Sequence, residues 1–175
     1  MQRFSQSEMG RSPEEADALG LSVEAFGGRY QSRLDDRSMA VAERTRATRL
    51  DLLHELELIN RDALSRDSQR TYDSALILLR NTAAAEAHGH GSTGLGWSSP
   101  YLITFADGAF ADLVKFMTLH APVRSRADAE EWLTRLEHMD EAMRDERRGF
   151  EVDIASGAIP PRAIVQRTID KARQL

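Results

Sequence analysis

The chain has 175 residues, a length that suits one domain with a buried core of its own. Hydrophobic residues make up 41% of it and the formal net charge is −5, which is typical of a soluble globular protein. The negative charge argues against binding to nucleic acid, because phosphate backbones attract basic surfaces. Cysteine is absent, which excludes disulfide bonds, thiolate nucleophiles and cysteine-ligated zinc.

No part of the sequence predicts contact with a membrane. No stretch approaches the roughly 20 apolar residues that a membrane-spanning helix needs. The first residues, MQRFSQSEMGRSPEE, lack the apolar core of a signal peptide. As written, the chain is expected to stay in the cytoplasm, while the compartment of the natural protein is left open.

A short helix is predicted near the start of the chain. Ser12 is placed as its N-cap, with Pro13 at the first helical position, and the helix ends near Leu19. Gly20 suits the left-handed conformation that often follows a helix. A loop follows Gly20, rich first in glycine and then in charge, and continues through Gly27-Gly28 and Leu34-Asp35-Asp36.

Two longer helices come next. Ser38 can cap the first, which runs to about Asn60 and has its apolar residues at helical spacing: Leu52, Leu53, Leu56 and Ile59. Either Ser65 or Ser68 opens the second, which ends at Gly89.

The apolar segment WSSPYLITF at 97–105 then predicts an extended piece that could form a short strand. A short amphipathic helix follows, with apolar residues Phe110, Leu113, Val114 and Met117.

The clearest predicted element is a long helix that Ser125 caps, with Asp128 three residues later. It carries a continuous apolar stripe: Ala129, Trp132, Leu133, Leu136, Met139, Met143, Phe150 and Ile154. Gly157 ends this helix, and Pro160-Pro161 begins a last helix with Ile164, Val165 and Ile169. Within this stripe Met139, Met143 and Phe150 are expected to be core, with docking of a partner helix on an exposed face as the alternative.

These elements predict an all-α fold, an antiparallel helical array with one long helix in its C-terminal half. Residues 1–175 are expected to form a single helical region, in which 88–108 are a glycine-rich loop and an extended segment. The chain ends in or just after a helix, so an incomplete domain fits the pattern equally well.

The sequence GHGSTG at 89–94 matches the G-x-G-x-x-G pattern of phosphate-binding loops. That pattern works where a buried strand leads into a tight turn at the start of a helix. Here residues 83–87 are alanine-rich and helical, and LGWSSP at 95–100 does not begin a helix. We therefore expect a flexible loop between two helices and not a dinucleotide site.

Histidines supply two fragments of metal-binding patterns. His88 and His90 could share a metal if a third ligand came from elsewhere, but nothing in the spacing brings in Asp107, Asp112, His120 or His138. His54-Glu55 begins the H-E-x-x-H pattern of zinc peptidases, yet Leu58 stands where the second histidine belongs. We predict no metal ligand, cofactor-binding residue or catalytic residue in this chain.

Adjacent carboxylates such as Asp35-Asp36 and Glu130-Glu131 are expected to be solvated, or to be first-turn charges that the helix dipole favours. On a helix, consecutive side chains diverge by about 100°, so neighbours in sequence do not converge on one site. They do not suggest an acid–base pair.

Six segments follow one another across nearly the whole chain in the order of a known family: SPEEADALGL at 12–21, RLDDRS at 33–38, LSRDSQRTYD at 64–73, SPYLIT at 99–104, SRADAEEWLTRL at 125–136 and GAIPPRAIV at 157–165. They resemble the N-terminal half of a bacterial family named domain of unknown function 885. The resemblance implies a largely helical, zincin-type metallohydrolase or peptidase. Its zinc motif, similar to H-E-G-x-P-G-H, lies in the C-terminal half.

This chain has no such motif, so no catalytic residue is carried over, and zinc is expected only in the missing C-terminal half. The first hypothesis is therefore a non-catalytic N-terminal helical region, inactive alone, whose partner is that catalytic half. The alternative is a stand-alone interaction module that self-associates through an apolar helix face. A small metal- or nucleotide-binding enzyme that uses the glycine loop ranks third.

Overall fold

A computed structural model describes residues 12–94 and 96–175. The predictions for the N-terminal leader segment and for Leu95 therefore lie outside the described residues. The described chain forms α-helices, one 3-10 helix at Arg61–Ala63 and one hairpin, in this order: α1 Pro13–Ala18, α2 Val23–Phe26, α3 Met39–Glu57, α4 Arg66–Glu86, β1 Ser92–Gly94, β2 Trp97–Ser99, α5 Ala109–Leu119, α6 Arg126–Ala155 and α7 Arg162–Ala172. The mainly α-helical prediction is confirmed. In the described part of the chain, no helix is both long and apolar enough to cross a membrane.

Serine side chains begin most of the predicted helices, because a serine hydroxyl accepts a hydrogen bond from an otherwise unpaired amide in the first turn. The observed serine N-caps include all those predicted at Ser12, Ser38, Ser65 and Ser125. Ser65, and not Ser68, caps α4. At α6 the Asp128 side chain also accepts a hydrogen bond from the Ser125 amide, which completes the capping box.

Two local features differ from the sequence prediction. A four-residue helix, α2, lies in the segment read as loop; Ser22 caps it and Gly27 ends it with a φ of 88°. The helix predicted from Ser38 to about Asn60 is α3, and it ends at Glu57. Asn60 instead caps the 3-10 helix, because its side chain accepts a hydrogen bond from the Asp62 amide.

The glycine-rich segment is a hairpin and not a flexible loop. Strands β1 and β2 are antiparallel, with Thr93 opposite Ser98. Their serine and glycine residues have little β-propensity, so the pattern did not predict the first strand. The hairpin forms beside α4, where the Thr93 hydroxyl donates a 3.1 Å hydrogen bond to Glu86.

Helices α3 and α4 form an antiparallel pair. Arg49, in the middle of α3, pairs with Glu86 at the end of α4 at 2.7 Å. Glu57, at the end of α3, pairs with Arg80, which comes earlier on α4, also at 2.7 Å. The later residue of α3 pairs with the earlier residue of α4, so the two helices run in opposite directions. The hairpin extends from the end of α4, so this pair carries the glycine-rich segment.

The core lies where α5 packs on α6. Fully or nearly fully buried side chains here are Ala109, Leu113, Phe116, Met117, Ala121 and Ala142. Leu34 from the segment before α3 contacts both halves of this core, as does Met139 of α6. The core therefore joins sequence-distant parts of the chain around α5.

The predicted apolar stripe of α6 is only partly buried. Trp132, Met139 and Met143 pack against the core. Leu133 and Leu136, in contrast, are 54% and 46% exposed. The core prediction is confirmed for Met139 and Met143, whereas Leu133 and Leu136, one turn away on the helix surface, are turned to solvent.

Substituting Leu113 with alanine should lower the free energy of unfolding by about 2–5 kcal/mol, since Leu113 is fully buried and a cavity would remain. Leu119→Ala on the same helix is the matched control, because Leu119 is largely exposed. It should change the free energy by less than about 1 kcal/mol. Urea unfolding followed by circular dichroism measures both, and equal effects would contradict the placement of α5.

Candidate functional site

The histidines of the two metal-binding fragments do not converge with other ligands. The rings of His88 and His90 are 6.1 Å apart between centroids, and His90 Nδ1 lies 3.1 Å from the Pro100 carbonyl oxygen. His54 is exposed on α3. Within residues 12–94 and 96–175, no three His, Asp or Glu side chains are placed to hold a metal ion. The described residues therefore do not fit the zinc of the resembled family.

The glycines at 89–94 serve the hairpin. The amide of Gly91, which a phosphate-binding loop would direct at its ligand, donates a 2.9 Å hydrogen bond to the Asp153 carboxylate. A Cβ at Gly91 would lie 2.2 Å from the Ser99 carbonyl oxygen, and one at Gly94 would lie 2.1 Å from the Trp97 ring nitrogen. Close approach within the hairpin accounts for both glycines.

One side of α6 presents polar side chains to the interior. We call Arg135, Glu146 and Asp153, which share this side with Ala142, the inner line of α6. Arg135 and Asp153 are buried. The spacing of seven, four and seven residues places all four positions on one face of a helix.

Arg135 binds the N-terminal part of the chain. Its guanidinium is 2.7 Å from the Asp17 carboxylate and donates a 3.1 Å hydrogen bond to the Arg33 carbonyl oxygen. It also stacks over the Phe116 ring, 4.9 Å from the ring centroid. Because a buried guanidinium needs such partners, Arg135 fixes where α1 and the segment after α2 lie on α6.

The other two members of the inner line bind backbone amides. Glu146 accepts a 2.7 Å hydrogen bond from the Ala109 amide at the start of α5. Asp153 accepts the hydrogen bond from the Gly91 amide of the hairpin. The inner line thus positions three separate segments against one helix.

Glu146 also belongs to a group that we call the acidic cluster: Glu14, Asp35, Arg37, Asp112 and Glu146. Arg37 holds Glu14 with two hydrogen bonds, of 2.7 and 2.9 Å. Asp35 accepts hydrogen bonds from the Ser12 hydroxyl at 2.8 Å and from the Glu14 amide at 3.0 Å. Asp112 accepts one from the Gly108 amide at 3.1 Å.

Negative charge exceeds positive charge in the acidic cluster, since four carboxylates face one guanidinium. Burial, together with the charge of Glu14, raises the pKa of Asp35 to about 6. Burial also raises the pKa of Asp112 and of Glu146 above their ordinary values. The prediction that Asp35 is solvated is wrong, whereas Asp36 is exposed.

A second buried ion pair lies between α3 and α4. Arg49 and Glu86 are both buried, with 2.7 Å between their nitrogen and oxygen atoms. Glu86 Oε1 also accepts a hydrogen bond from the Thr93 hydroxyl, while Glu86 Oε2 has no hydrogen-bond partner among the described residues. This pair joins the hairpin to the helical pair.

A small cleft of about 190 Å³ lies beside the start of α6, with Asp17, Trp132 and Arg135 among its lining residues. The polar groups of these three residues already have partners in the protein. Arg135 pairs with Asp17, and the Trp132 ring nitrogen donates a 3.2 Å hydrogen bond to the Met117 carbonyl oxygen. These three residues therefore offer no unpaired polar group to a ligand in the cleft.

The side of α6 that includes Leu133, Leu136 and Ile154 is here called the outer face. Ile154 is 41% exposed, close to the values for the two leucines. The last helix, α7, likewise leaves Val165 and Ile169 exposed. Large apolar side chains in these positions are typical of surfaces that another protein segment covers.

Residues 13–175 match the model of a family described as "Bacterial protein of unknown function (DUF885)". The chain belongs to this family. No curated protein matches it. The DUF885 match starts at the first residue of α1 and includes every element described above, so the acidic cluster and the inner line of α6 lie within the family region.

Among solved structures, this DUF885 chain is similar to one described as "The crystal structure of the putative lipoprotein from Colwellia psychrerythraea". The TM-score is 0.86 at 21% sequence identity, which shows a shared fold. The match covers 97% of this chain and 29% of that one. The DUF885 chain thus spans less than a third of the length of the protein it resembles.

The residues that organise the site were not recognised from the sequence. Arg135, Glu146 and Asp153 are charged, so the apolar spacing of α6 gives no sign that they lie inside. The seven-four-seven spacing was a usable signal, but it becomes meaningful only with the partners that bind each charge. Those partners are more than 35 residues away in the chain.

Replacing Arg49 with methionine should lower the free energy of unfolding by about 3–5 kcal/mol, because the Glu86 carboxylate would stay buried without the guanidinium that pairs with it. Arg80→Met is the matched control: its pair with Glu57 has the same 2.7 Å distance but is exposed. That change should cost less than about 1 kcal/mol. Chemical unfolding of the two variants at neutral pH makes the comparison, and similar losses would contradict the burial of Arg49.

The raised pKa of Asp35 predicts that stability falls as the pH rises. The folded protein keeps this proton to about pH 6, whereas an unfolded aspartate loses it near its ordinary pKa of 3.8. The free energy of unfolding should therefore decrease between these pH values, by on the order of 2 kcal/mol from this group. Asp35→Asn should reduce that decrease.

Asp73→Asn is the control for this measurement, because the Asp73 side chain is 42% exposed and the bound Arg61 lowers its pKa. Its contribution is lost only as the pH falls below about 3.8, so the slope between pH 4 and 6 should not change. A wild-type stability that rises through this window would contradict the assignment to Asp35.

Proposed function

We propose that this chain is the non-catalytic helical region of a zinc metallopeptidase-like hydrolase and is inactive alone. In this proposal the chain packs through the outer face of α6 against the remaining part of the family protein. Zinc and the catalytic groups belong to that remaining part. The observation that carries the proposal is the uncovered apolar side of the longest helix.

The exposed outer face supports this packing role. Leu133 and Leu136 lie about one turn apart, so their side chains are neighbours on the helix surface. Burying a leucine side chain contributes about 1.5–3 kcal/mol relative to leaving it in water. A helix that keeps charged groups inside and leucines outside gains stability when a second apolar surface covers those leucines.

The extent of the similar structure supports the presence of such a surface. This chain accounts for 29% of the matched Colwellia psychrerythraea protein, so most of that protein lies beyond the shared region. A fold shared at a TM-score of 0.86 places the long helix within the region common to both. The proposal assigns the covering surface to the corresponding further part of the DUF885 protein.

The distribution of histidines is consistent with a non-catalytic role. His54 lies on α3, His88 and His90 lie beside the hairpin, His120 directly follows α5, and His138 lies on α6. A catalytic zinc needs three converging protein ligands and one open position for water. These histidines lie on different elements, so the proposal locates the zinc ligands elsewhere.

The catalytic part of the proposal is tested with the purified chain, Zn²⁺ and sets of peptide and ester substrates. We expect no turnover above the buffer rate and no stoichiometric zinc binding by isothermal titration. His88→Ala/His90→Ala should give the same result as the wild type. Zinc-dependent turnover that this double substitution abolishes would overturn the proposal.

The packing part is tested by replacing the exposed leucines. Leu133→Ser/Leu136→Ser should reduce binding of the dye bis-ANS several-fold and weaken concentration-dependent association, with the melting temperature changed by only a few degrees. Met139→Ser is the matched control, because Met139 packs against the core and its loss should instead lower the melting temperature. Unchanged dye binding in the double variant would contradict an accessible outer face.

The same experiment separates the alternative function, a self-associating interaction module, which the exposed leucines also favour. Light scattering over a range of concentrations should show gradual association without fixed stoichiometry if the partner is another segment of the family protein. A saturable dimer that Leu133→Ser/Leu136→Ser converts to a monomer would favour the interaction module instead.

A further inference from the structure

One aspartate in the sequence is followed directly by glycine: Asp107-Gly108, in the loop before α5. At such a pair the glycine nitrogen can attack the side-chain carboxyl carbon of the aspartate, because glycine has no Cβ to hinder the close approach. The pair lies where the fold tolerates little change. Gly108 is the N-cap residue of α5, and Ala109, the first residue of that helix, is completely buried.

Thr104 holds the aspartate of this pair. The Thr104 hydroxyl donates a 3.0 Å hydrogen bond to the Asp107 carboxylate and accepts one of 3.1 Å from the Asp107 amide. The Thr104 amide donates a 2.9 Å hydrogen bond to the Asp107 carbonyl oxygen. Because Thr104 is buried, water competes little for these bonds. Thr104 therefore fixes both the backbone and the carboxylate of Asp107.

The nitrogen that would attack is occupied as well. The Gly108 amide donates a 3.1 Å hydrogen bond to the Asp112 carboxylate, about one turn along α5. Attack occurs along the direction of the lost N–H bond, so Asp112 stands where the carboxyl carbon of Asp107 would have to arrive. The loop is also closely packed, since a Cβ at Gly108 would lie 3.2 Å from the Phe110 ring.

We propose that Asp107-Gly108 is a covalent modification site, where aspartate converts to isoaspartate when the loop opens and where Thr104 and Asp112 suppress this reaction in the folded chain. The Gly108 nitrogen bonds to the side-chain carboxyl carbon of Asp107. Its proton and the hydroxyl of the protonated carboxyl group leave as water, and a succinimide ring closes. Water then adds to the main-chain carbonyl carbon and breaks its bond to the nitrogen. The mass is unchanged, and no other reactant is consumed.

The product would alter the start of α5. Isoaspartate inserts one methylene group into the backbone just before Gly108, and its carboxylate becomes the main-chain carboxyl group of Asp107. The Ala109 amide that follows donates a 2.7 Å hydrogen bond to Glu146, and Leu113 one turn later is fully buried. Because a close-packed core does not accommodate a shifted helix, a modified chain should melt at a lower temperature.

Peptide mapping after prolonged incubation at neutral pH tests the proposal, with electron-transfer dissociation to distinguish isoaspartate from aspartate at equal mass. The folded wild type should form isoaspartate at residue 107 many-fold more slowly than the same chain unfolded in guanidinium chloride. Asp73-Ser74 within α4 is the internal reference for global unfolding, because serine is a small residue and the pair lies in another element.

Substitutions separate the two protecting contacts. Asp112→Ala removes the acceptor of the Gly108 amide and should raise isoaspartate formation at residue 107 several-fold, whereas Asp112→Asn keeps an oxygen acceptor and should restore protection. Thr104→Val frees the Asp107 carboxylate and should also raise it several-fold. Thr118→Val is the matched control, because the Thr118 hydroxyl bonds only within α5. Asp107→Glu should form no such product, since its ring would be larger and close far more slowly.

Equal rates in the folded and the unfolded wild type would overturn the proposal. The same conclusion follows if Asp112→Ala and Thr104→Val both fold and both keep the wild-type rate, or if Asp112→Asn reacts as fast as Asp112→Ala. A rise at Asp73-Ser74 in step with residue 107 would also overturn it, because opening would then be global. The proposal goes beyond the proposed function, and none of these results depends on hydrolase activity or on the outer face of α6.

Discussion

The structure depends on the way α6 places charged side chains inside. Arg135, Glu146 and Asp153 lie along one line of this helix, and each holds a different segment: residues 12–38 before α3, the start of α5 and the hairpin. Removing a charge from water without a partner costs several kcal/mol. Each of these residues therefore specifies one location for its segment, while the apolar core around Leu113 supplies most of the burial.

This arrangement determines which part of the chain is left for a partner. Because the inner line faces the core, the centre of the apolar stripe is rotated away from it. Met139 and Met143 still reach the core, but Leu133 and Leu136 face outward. The packing role proposed for the chain and the internal order of the fold are thus two consequences of the same helix orientation. A relative that is much longer than this chain provides the context in which an outward apolar face is useful.

The parts of the fold that local chemistry controls were predictable from the sequence. Serine caps and the glycine after α6 set helix ends through bonds within a few residues, so Ser38, Ser125 and Gly157 could be read directly. The α2 helix is a single turn, too short to show a period. The first hairpin strand lacks β-branched residues, apart from Thr93, and forms because α4 offers it partners.

The acidic cluster and the inner line depend on contacts between distant positions. Asp35 looked like a loop residue exposed to solvent, since its neighbours in sequence are Asp36 and Arg37. Only the fold brings Asp112 and Glu146 towards its partner Glu14 and towards Arg37. For the same reason the sequence suggested glycine and histidine motifs as candidate sites, while the titrating groups of the structure carry no motif at all.

The most direct test of this account compares two adjacent residues of α6, Arg135→Gln and Leu136→Gln, by chemical unfolding. The account predicts that the arginine substitution lowers the free energy of unfolding by about 3 kcal/mol or more. The reason is that Asp17 and the carbonyl groups of Tyr30 and Arg33 would lose their hydrogen-bond donor. The leucine substitution should cost less than about 1 kcal/mol, because the side chain is exposed. A larger loss at Leu136 than at Arg135 would show that α6 faces the core with its apolar stripe and would contradict the account.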